Sequence, residues 1–438
     1  MCFFGLTFFT FCILGLFIIP CLAPGVDLGQ GLISYDSFGF YETAKEQAEK
    51  IRQEGWSAWS PFPEKRFPSG CLSPFFVIFG TNPWALWAAQ ALFHSMNTLL
   101  VLAILLLFFP RIPSLLGALY YLFCPAQLEF TFSPHKDMFF SMGFFLVLWF
   151  ILQIGALPFR IKIAFQTSAA LLLGIFLVLV TRAYFYPVLV VGLSLLLLQG
   201  KKRPFLPVLG VFMASLFLLL GLRSVLKEKF HDKFASSLSP TSAIGETQKA
   251  KSSVSIPDQP AQDKELPGMA TIPTSRKYFY PLDRWLWIYQ NTRTGFNLSG
   301  GRTLVDEDFV APSWGSLLFY IPRALQIGLL SPWPNQWGLE GSTPGSTLWK
   351  KMLFLFGPLH YVALVLIFYQ LLRRPRYLNL WKMVLICLVA ICFFSLMVSN
   401  VGTLSRLRSP FYLLLVSGGL ATGAQILLQR RVLSHEKR

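Results

Sequence analysis

The chain has 438 residues and a formal net charge of +17, with 54% apolar and only 13% charged residues. A soluble globular chain carries about 25% charged residues. Here the apolar residues run together over lengths near the ~20 that a helix needs to cross a bilayer, which excludes an ordinary soluble enzyme. The basic balance does not indicate nucleic-acid binding, because most of the short basic clusters sit between apolar runs, where orientation signals belong.

In chain order, spans are expected near 2–23, 84–109, 112–130, 138–156, 163–181, 184–199, 204–222, 351–371, 380–399 and 409–428. Met1 to Ala23 lacks a basic n-region and a clear cleavage site, so it reads as a retained first span and not as a signal peptide. The apolar segment 71–83 is too short to cross and reads as re-entrant or interfacial. With the N-terminus inside, one side receives Arg111, then Arg160 and Lys162, then Lys201, Lys202 and Arg203, then Arg373, Arg374 and Arg376. The tail adds Arg430, Arg431, Lys437 and Arg438 to that side. The fold class is therefore all-α, a polytopic transmembrane bundle of about ten spans with both termini cytoplasmic. The cysteines show neither metal spacing nor a disulfide framework.

Three units follow. Residues 1–222 form a seven-span module whose first outward loop, 24–83, carries a juxtamembrane helix. Residues 223–350 form a large outward loop after the seventh span. Residues 351–438 form a three-span module with a cytoplasmic tail. Within the large loop, 235–275 is rich in Ser, Pro, Lys and Gln and is expected to be disordered. The aromatic-rich part, 276–337, is expected to fold onto the membrane surface.

Orientation explains most of the positive charge and leaves a short outward list. Asp36 precedes a helical stretch at 41–53, on which Tyr41, Ala44, Ala48 and Ile51 share one face. Asp36 reads either as a cap for that helix or as a carboxylate held at the surface for base catalysis or cation binding. His135, Lys136 and Asp137 crowd one tight outward turn, where Asp137 also suits the first turn of a helix. Ionisable groups so near a membrane are costly and often functional. Arg182 lies between two closely spaced spans. Arg406 and Arg408 lie in RLRSP, where Ser409 and Pro410 suit a cap and a first helical position. The two arginines are then expected in an extended lead-in, pointing the same way beside a helix N-terminus, a good phosphate site. The alternative for all three arginines is interfacial anchoring.

This pattern resembles the GT-C superfamily of integral-membrane glycosyltransferases, whose relatives include protein mannosyltransferases and lipid A aminoarabinose transferases. One span is followed by an outward loop with an Asp beside a juxtamembrane helix, matched by Asp36 and 41–53. Ser73-Pro74 and then Phe79-Gly80 resemble the approach to the second span, and Asp137 matches an acid in the next outward turn. The Arg-x-Arg-x-Pro segment at 406–410 is similar to one in many bacterial membrane glycosyltransferases. No tight Asp-x-Asp is present, and the nearest second acid is Glu42, so metal use stays open.

The resemblance implies transfer of a sugar from a polyprenyl-phosphate-linked donor to a surface glycan, lipid or protein acceptor, in cell-surface glycan or glycolipid synthesis. The setting would be the outer face of a bacterial cytoplasmic membrane. Asp36 and Asp137 become the catalytic candidates, with Asp36 as base. Glu42, His135, Lys136, Arg182, Arg406 and Arg408 become the substrate-binding candidates. A divalent cation, Mg or Mn, would sit at Asp36 and Asp137 if anywhere. The alternatives are a polysaccharide polymerase or O-antigen-ligase-like enzyme, and a lipid or solute transporter.

Overall fold

A computed structural model describes residues 2–13, 16, 35–125, 127, 134–156, 161–195, 281–298, 303–337 and 344–436. The apolar runs coil because a bilayer offers the backbone no other hydrogen-bond partners. Six stretches are long and apolar enough to cross: Trp84–Leu105, Lys136–Gln153, Ala169–Ser194, Phe354–Arg373, Leu378–Met397 and Val401–Arg431. The chain is thus a multi-pass helical membrane protein. Among the described residues there is no strand, and backbone pairing outside helices includes one isolated bridge, Leu304 to Asn400. The expected span at 204–222 and the stretch 235–275 lie outside the described residues.

Helix α1 (Cys2–Ile13) packs on α4 (Pro83–Leu105), with Ser95 donating to Thr7 Oγ1 at 3.0 Å. Between them in sequence lie α2 (Tyr35–Glu54) and α3 (Phe67–Phe79), packed on each other. The expected stripe is the buried face of α2: Tyr41, Ala44, Ala48 and Ile51 are each at most 4% exposed. Helix α2 starts six residues before the expected 41–53, which places Asp36 within its first turn. Helix α3 has 13 residues, too few to cross, as its apolar length indicated.

Next come α5 (Arg111–Phe123), α6 (Lys136–Ala156), α7 (Ile161–Arg182) and α8 (Tyr186–Ser194). The apolar stretch 169–194 is not one rod. Arg182 leaves helical geometry at φ −148° and ψ 69°, and a 3-10 turn, Ala183–Phe185, follows. Helix α7 runs antiparallel to α6, with Gly174 against Gly143 and Arg182 against Asp137. Helix α8 runs parallel to α6, with Phe185 on Phe140 and Gly192 facing Ile151. The chain therefore reverses at Arg182, as two closely spaced spans require.

Helices α9 (Pro281–Leu298) and α10 (Trp314–Leu330) come from the aromatic-rich segment, which is folded over its described part. They dock on α12 (Leu378–Met397), which lies between α11 (Pro344–Arg373) and α13 (Val401–Glu436). The dock is polar at its centre. Arg293 is 1% exposed and donates to the carbonyls of Phe309 (2.7 Å), Leu396 (2.9 Å) and Asp306 (3.0 Å) and to Tyr320 Oη (3.1 Å). Val305 N to Ser399 O and Val401 N to Thr303 O, both 3.0 Å, tie the same segment to the α12–α13 turn.

The bundle has two distinct ends. At one, Tyr377 Oη donates to Leu107 O at 2.6 Å and Asn379 to Leu152 O at 3.5 Å. Arg111, Arg373, Arg374 and Arg376 adjoin these residues in sequence, so this is the basic end. The opposite end holds the His135–Asp137 turn, Arg182 and the α12–α13 turn. Between the ends lies an aromatic core of Phe140, Phe144, Phe185, Phe394 and Phe411, all buried.

Candidate functional site

At the end opposite the basic loops, α6, α7 and α13 bring charged residues together. Asp137 sits in the first turn of α6, whose start is fixed from α4 by Asn97 Nδ2, donating to Met138 O at 3.1 Å. An acid there is favoured by the positive end of the helix dipole. Arg182, at the end of α7, donates through Nη2 to Asp137 Oδ1 and through Nη1 to Tyr184 Oη. Its guanidinium also lies 5.5 Å from the Phe140 ring. Arg406, from α13, reaches the second oxygen, with Nε 3.2 Å from Asp137 Oδ2.

Burial grades this trio. The Arg182 and Asp137 side chains are 4% and 10% exposed, whereas Arg406 is 23% exposed. Arg182 is the anchored member and Arg406 the one that faces outward. Two guanidinium groups thus share one carboxylate.

Helix α2 joins the same centre. Ser37 Oγ, in the first turn of α2, lies 3.4 Å from His135 Nε2. Asp36 precedes Ser37 in that turn, so the α2 N-terminus, with its positive dipole end, abuts the His135–Asp137 turn. Lys136 opens α6 and is half-buried there. Residues 98 positions apart in sequence thus become neighbours. Glu42 is half-buried on α2, and among the described residues no hydrogen bond or ion pair joins it to Asp137, Arg182 or Arg406.

One expectation needs correction. Arg406 and Arg408 are not in an extended lead-in. Helix α13 begins at Val401, because Asn400 Oδ1 accepts from Gly402 N (2.9 Å) and Thr403 N (3.4 Å) and so caps the helix nine residues before Pro410. Pro410 lies inside the helix, and Ser409 donates to Gln127 Oε1 at 3.2 Å instead of capping. Two residues apart on a helix means nearly opposite faces. Arg406 therefore meets Asp137, while Arg408 turns away to the carbonyls that end α10. At Asp137 both carboxylate oxygens face guanidinium groups. Among the described residues, no three His, Cys, Asp or Glu side chains converge as a metal site would need.

Sequence reasoning did not find Ser37 and Tyr184 as partners of His135 and Arg182. Tyr184 lies two residues beyond Arg182 and was within reach of a close reading, but the Ser37 contact depends on tertiary packing alone. The chain matches no protein-family model, no curated protein and no solved structure.

Proposed function

We propose that this protein is a membrane glycosyltransferase that moves a sugar from a polyprenyl-phosphate-linked donor to an acceptor on the non-cytoplasmic face. The observation that carries this reading is the convergence of the α2 N-terminus, the His135–Asp137 turn, Arg182 and Arg406 at the end opposite the basic loops. Those positions come from four separate places in the sequence. The positive-inside rule makes the basic end cytoplasmic, so the centre faces outward. Guanidinium groups suit a phosphate, and a donor with a hydrocarbon tail explains why the site is built at the mouth of a bundle.

The acceptor oxygen attacks the anomeric carbon, its bond to that carbon forms, and the bond to the donor phosphate oxygen breaks. The polyprenyl phosphate leaves with the electron pair. Asp36 takes the acceptor proton. Arg406, with Lys136 and Arg182 behind it, stabilises the charge that grows on the departing phosphate. Asp137 is a positioning residue that fixes both guanidinium groups before the substrate arrives. Preorganised donors of this kind are worth on the order of 3 kcal/mol of barrier each.

The test is transfer from a synthetic polyprenyl-phosphate sugar in proteoliposomes. Asp36→Asn should express and fold like the parent yet show no transfer. Parent-like turnover in that variant would remove Asp36 from the chemistry. Mass spectrometry of lipids that accumulate in a deletion strain separates a single-sugar donor from an oligosaccharide donor, which a polymerase or ligase would leave behind.

A further inference from the structure

The residue that turned away from the centre marks a second cationic pocket. Arg408 is 4% exposed. It donates to the carbonyls of Ile327 (3.1 Å), Gly328 and Ser331, and its guanidinium carbon lies 4.8 Å from the Tyr412 ring centre. These acceptors are neutral, and among the described residues no carboxylate pairs with Arg408. Arginine cannot discharge itself by losing a proton. The C-terminus of α10 offsets only about half of an elementary charge. A buried permanent cation is left short of negative charge in a medium where that shortage is costly.

Beside Arg408 lies a cavity of about 40 Å³ between α11, α13 and the 331–337 turn. His360, Tyr361, Ser405 and Ser331 line it together with Arg408. Ser331 is 3% exposed and its Oγ has no partner among the described residues. The Trp337 ring forms one wall. It stacks on Tyr361 at 5.8 Å and packs so close to Gly357 that a Cβ there would come within 2.4 Å of it. Beside the pocket α11 presents exposed apolar side chains, with Phe354, which meets the Trp337 ring, at 59% and Leu355 at 74% exposure. A mostly apolar hollow with a buried guanidinium and serine hydroxyls in its wall, beside exposed apolar side chains, suits a charged head on a hydrocarbon tail.

We infer that the Arg408 pocket binds a phosphate group, and the bare apolar flanks favour one carried on a lipid over free phosphate. This site is separate from the Asp137 centre and does not rest on the glycosyltransferase reading. The experiment uses the full chain in nanodiscs of zwitterionic lipid and a diazirine-bearing farnesyl monophosphate, with adducts mapped by mass spectrometry. Adducts should fall on the peptides that carry Trp337 and Gly357–Tyr361. Ser405→Phe fills the cavity without touching the α10 cap and should cut those adducts by at least about tenfold. Arg408→Gln should do the same if it folds, as judged by melting temperature and monodisperse elution, and Ser405→Phe decides if it does not. Arg111→Gln, at the basic end, should leave them in place. Competition by inorganic phosphate at millimolar concentration would assign the site to free phosphate, whereas competition by phospholipid or prenyl phosphate alone would assign it to a lipid head. Equal labelling by the diazirine-bearing farnesol, adducts undiminished in Ser405→Phe, or no adducts on these peptides would each overturn the proposal.

Discussion

At the scale of single residues, the decisive group is Asp137. One carboxylate holds two guanidinium groups from helices that are distant in sequence. Removing one partner of a buried ion pair costs about 3–5 kcal/mol, because the other charge is stranded. Asp137→Asn should therefore lower stability by that order in detergent, and Arg406→Gln by less, since Arg406 is the more exposed partner. Asp137→Asn combined with Arg182→Gln should be less damaging than the sum of the two, with a coupling of about 1–3 kcal/mol. Strict additivity in that cycle would mean that the pair is not energetically linked. A second carboxylate gives a pH signal. Arg323, bonded at 2.9 and 3.0 Å, and the Tyr320 hydroxyl at 2.8 Å hold the Asp306 carboxyl below its ordinary range. A depressed carboxyl stabilises the fold above its unfolded value, and the gain is lost as pH falls through the lowered one. Arg323 is 42% exposed, so the effect is small. Hydrogen exchange across 281–330 should quicken below about pH 4 in the parent, and Asp306→Asn should flatten that dependence.

At the scale of elements, close helix approach depends on missing side chains. A Cβ on Gly174 would come within 2.8 Å of Gly143 O, and the reverse contact is equally tight. In a bilayer such small-residue contacts replace the hydrophobic drive that water supplies elsewhere. Gly174→Leu should cost about 1–3 kcal/mol and, because α7 ends at Arg182 two turns on, should also disturb the ion pair with Asp137. A melting temperature like the parent's would show that α6 and α7 can part without cost. Most of these helices were legible as apolar runs, and the turn at Arg182 was legible because one cation interrupts an apolar stretch too long for one span. The start of α13 was misread because two cap signals compete there. Ser409-Pro410 obeys the local rule, but Asn400 is the residue whose carboxamide meets free backbone N–H groups. Arg293 was not legible at all. Its role depends on acceptors from Phe309 to Leu396, which only the docked structure brings around it.

At the scale of the whole molecule, helices near the two ends of the chain interlock. Ser409 reaches Gln127, the Tyr120 hydroxyl meets His360, and Gly117 lies where a Cβ would come within 2.6 Å of Ser417 O. Asp137 and Arg182 come from the first half of the sequence, and Arg406 comes from the last tenth. The centre exists only where the halves meet. Meanwhile Arg293 and the bridge at Leu304 fasten α9 and α10 to helices of their own half. Side-chain contacts between described residues therefore join the two halves directly. A gene cut at Pro240 and expressed as two polypeptides should yield halves that co-purify and together regain whatever the intact chain does, while neither half alone does so. Halves that elute apart would show that covalent continuity, and not side-chain complementarity, keeps them together. Genetic complementation in two pieces is thus open to a protein whose centre is shared between its halves.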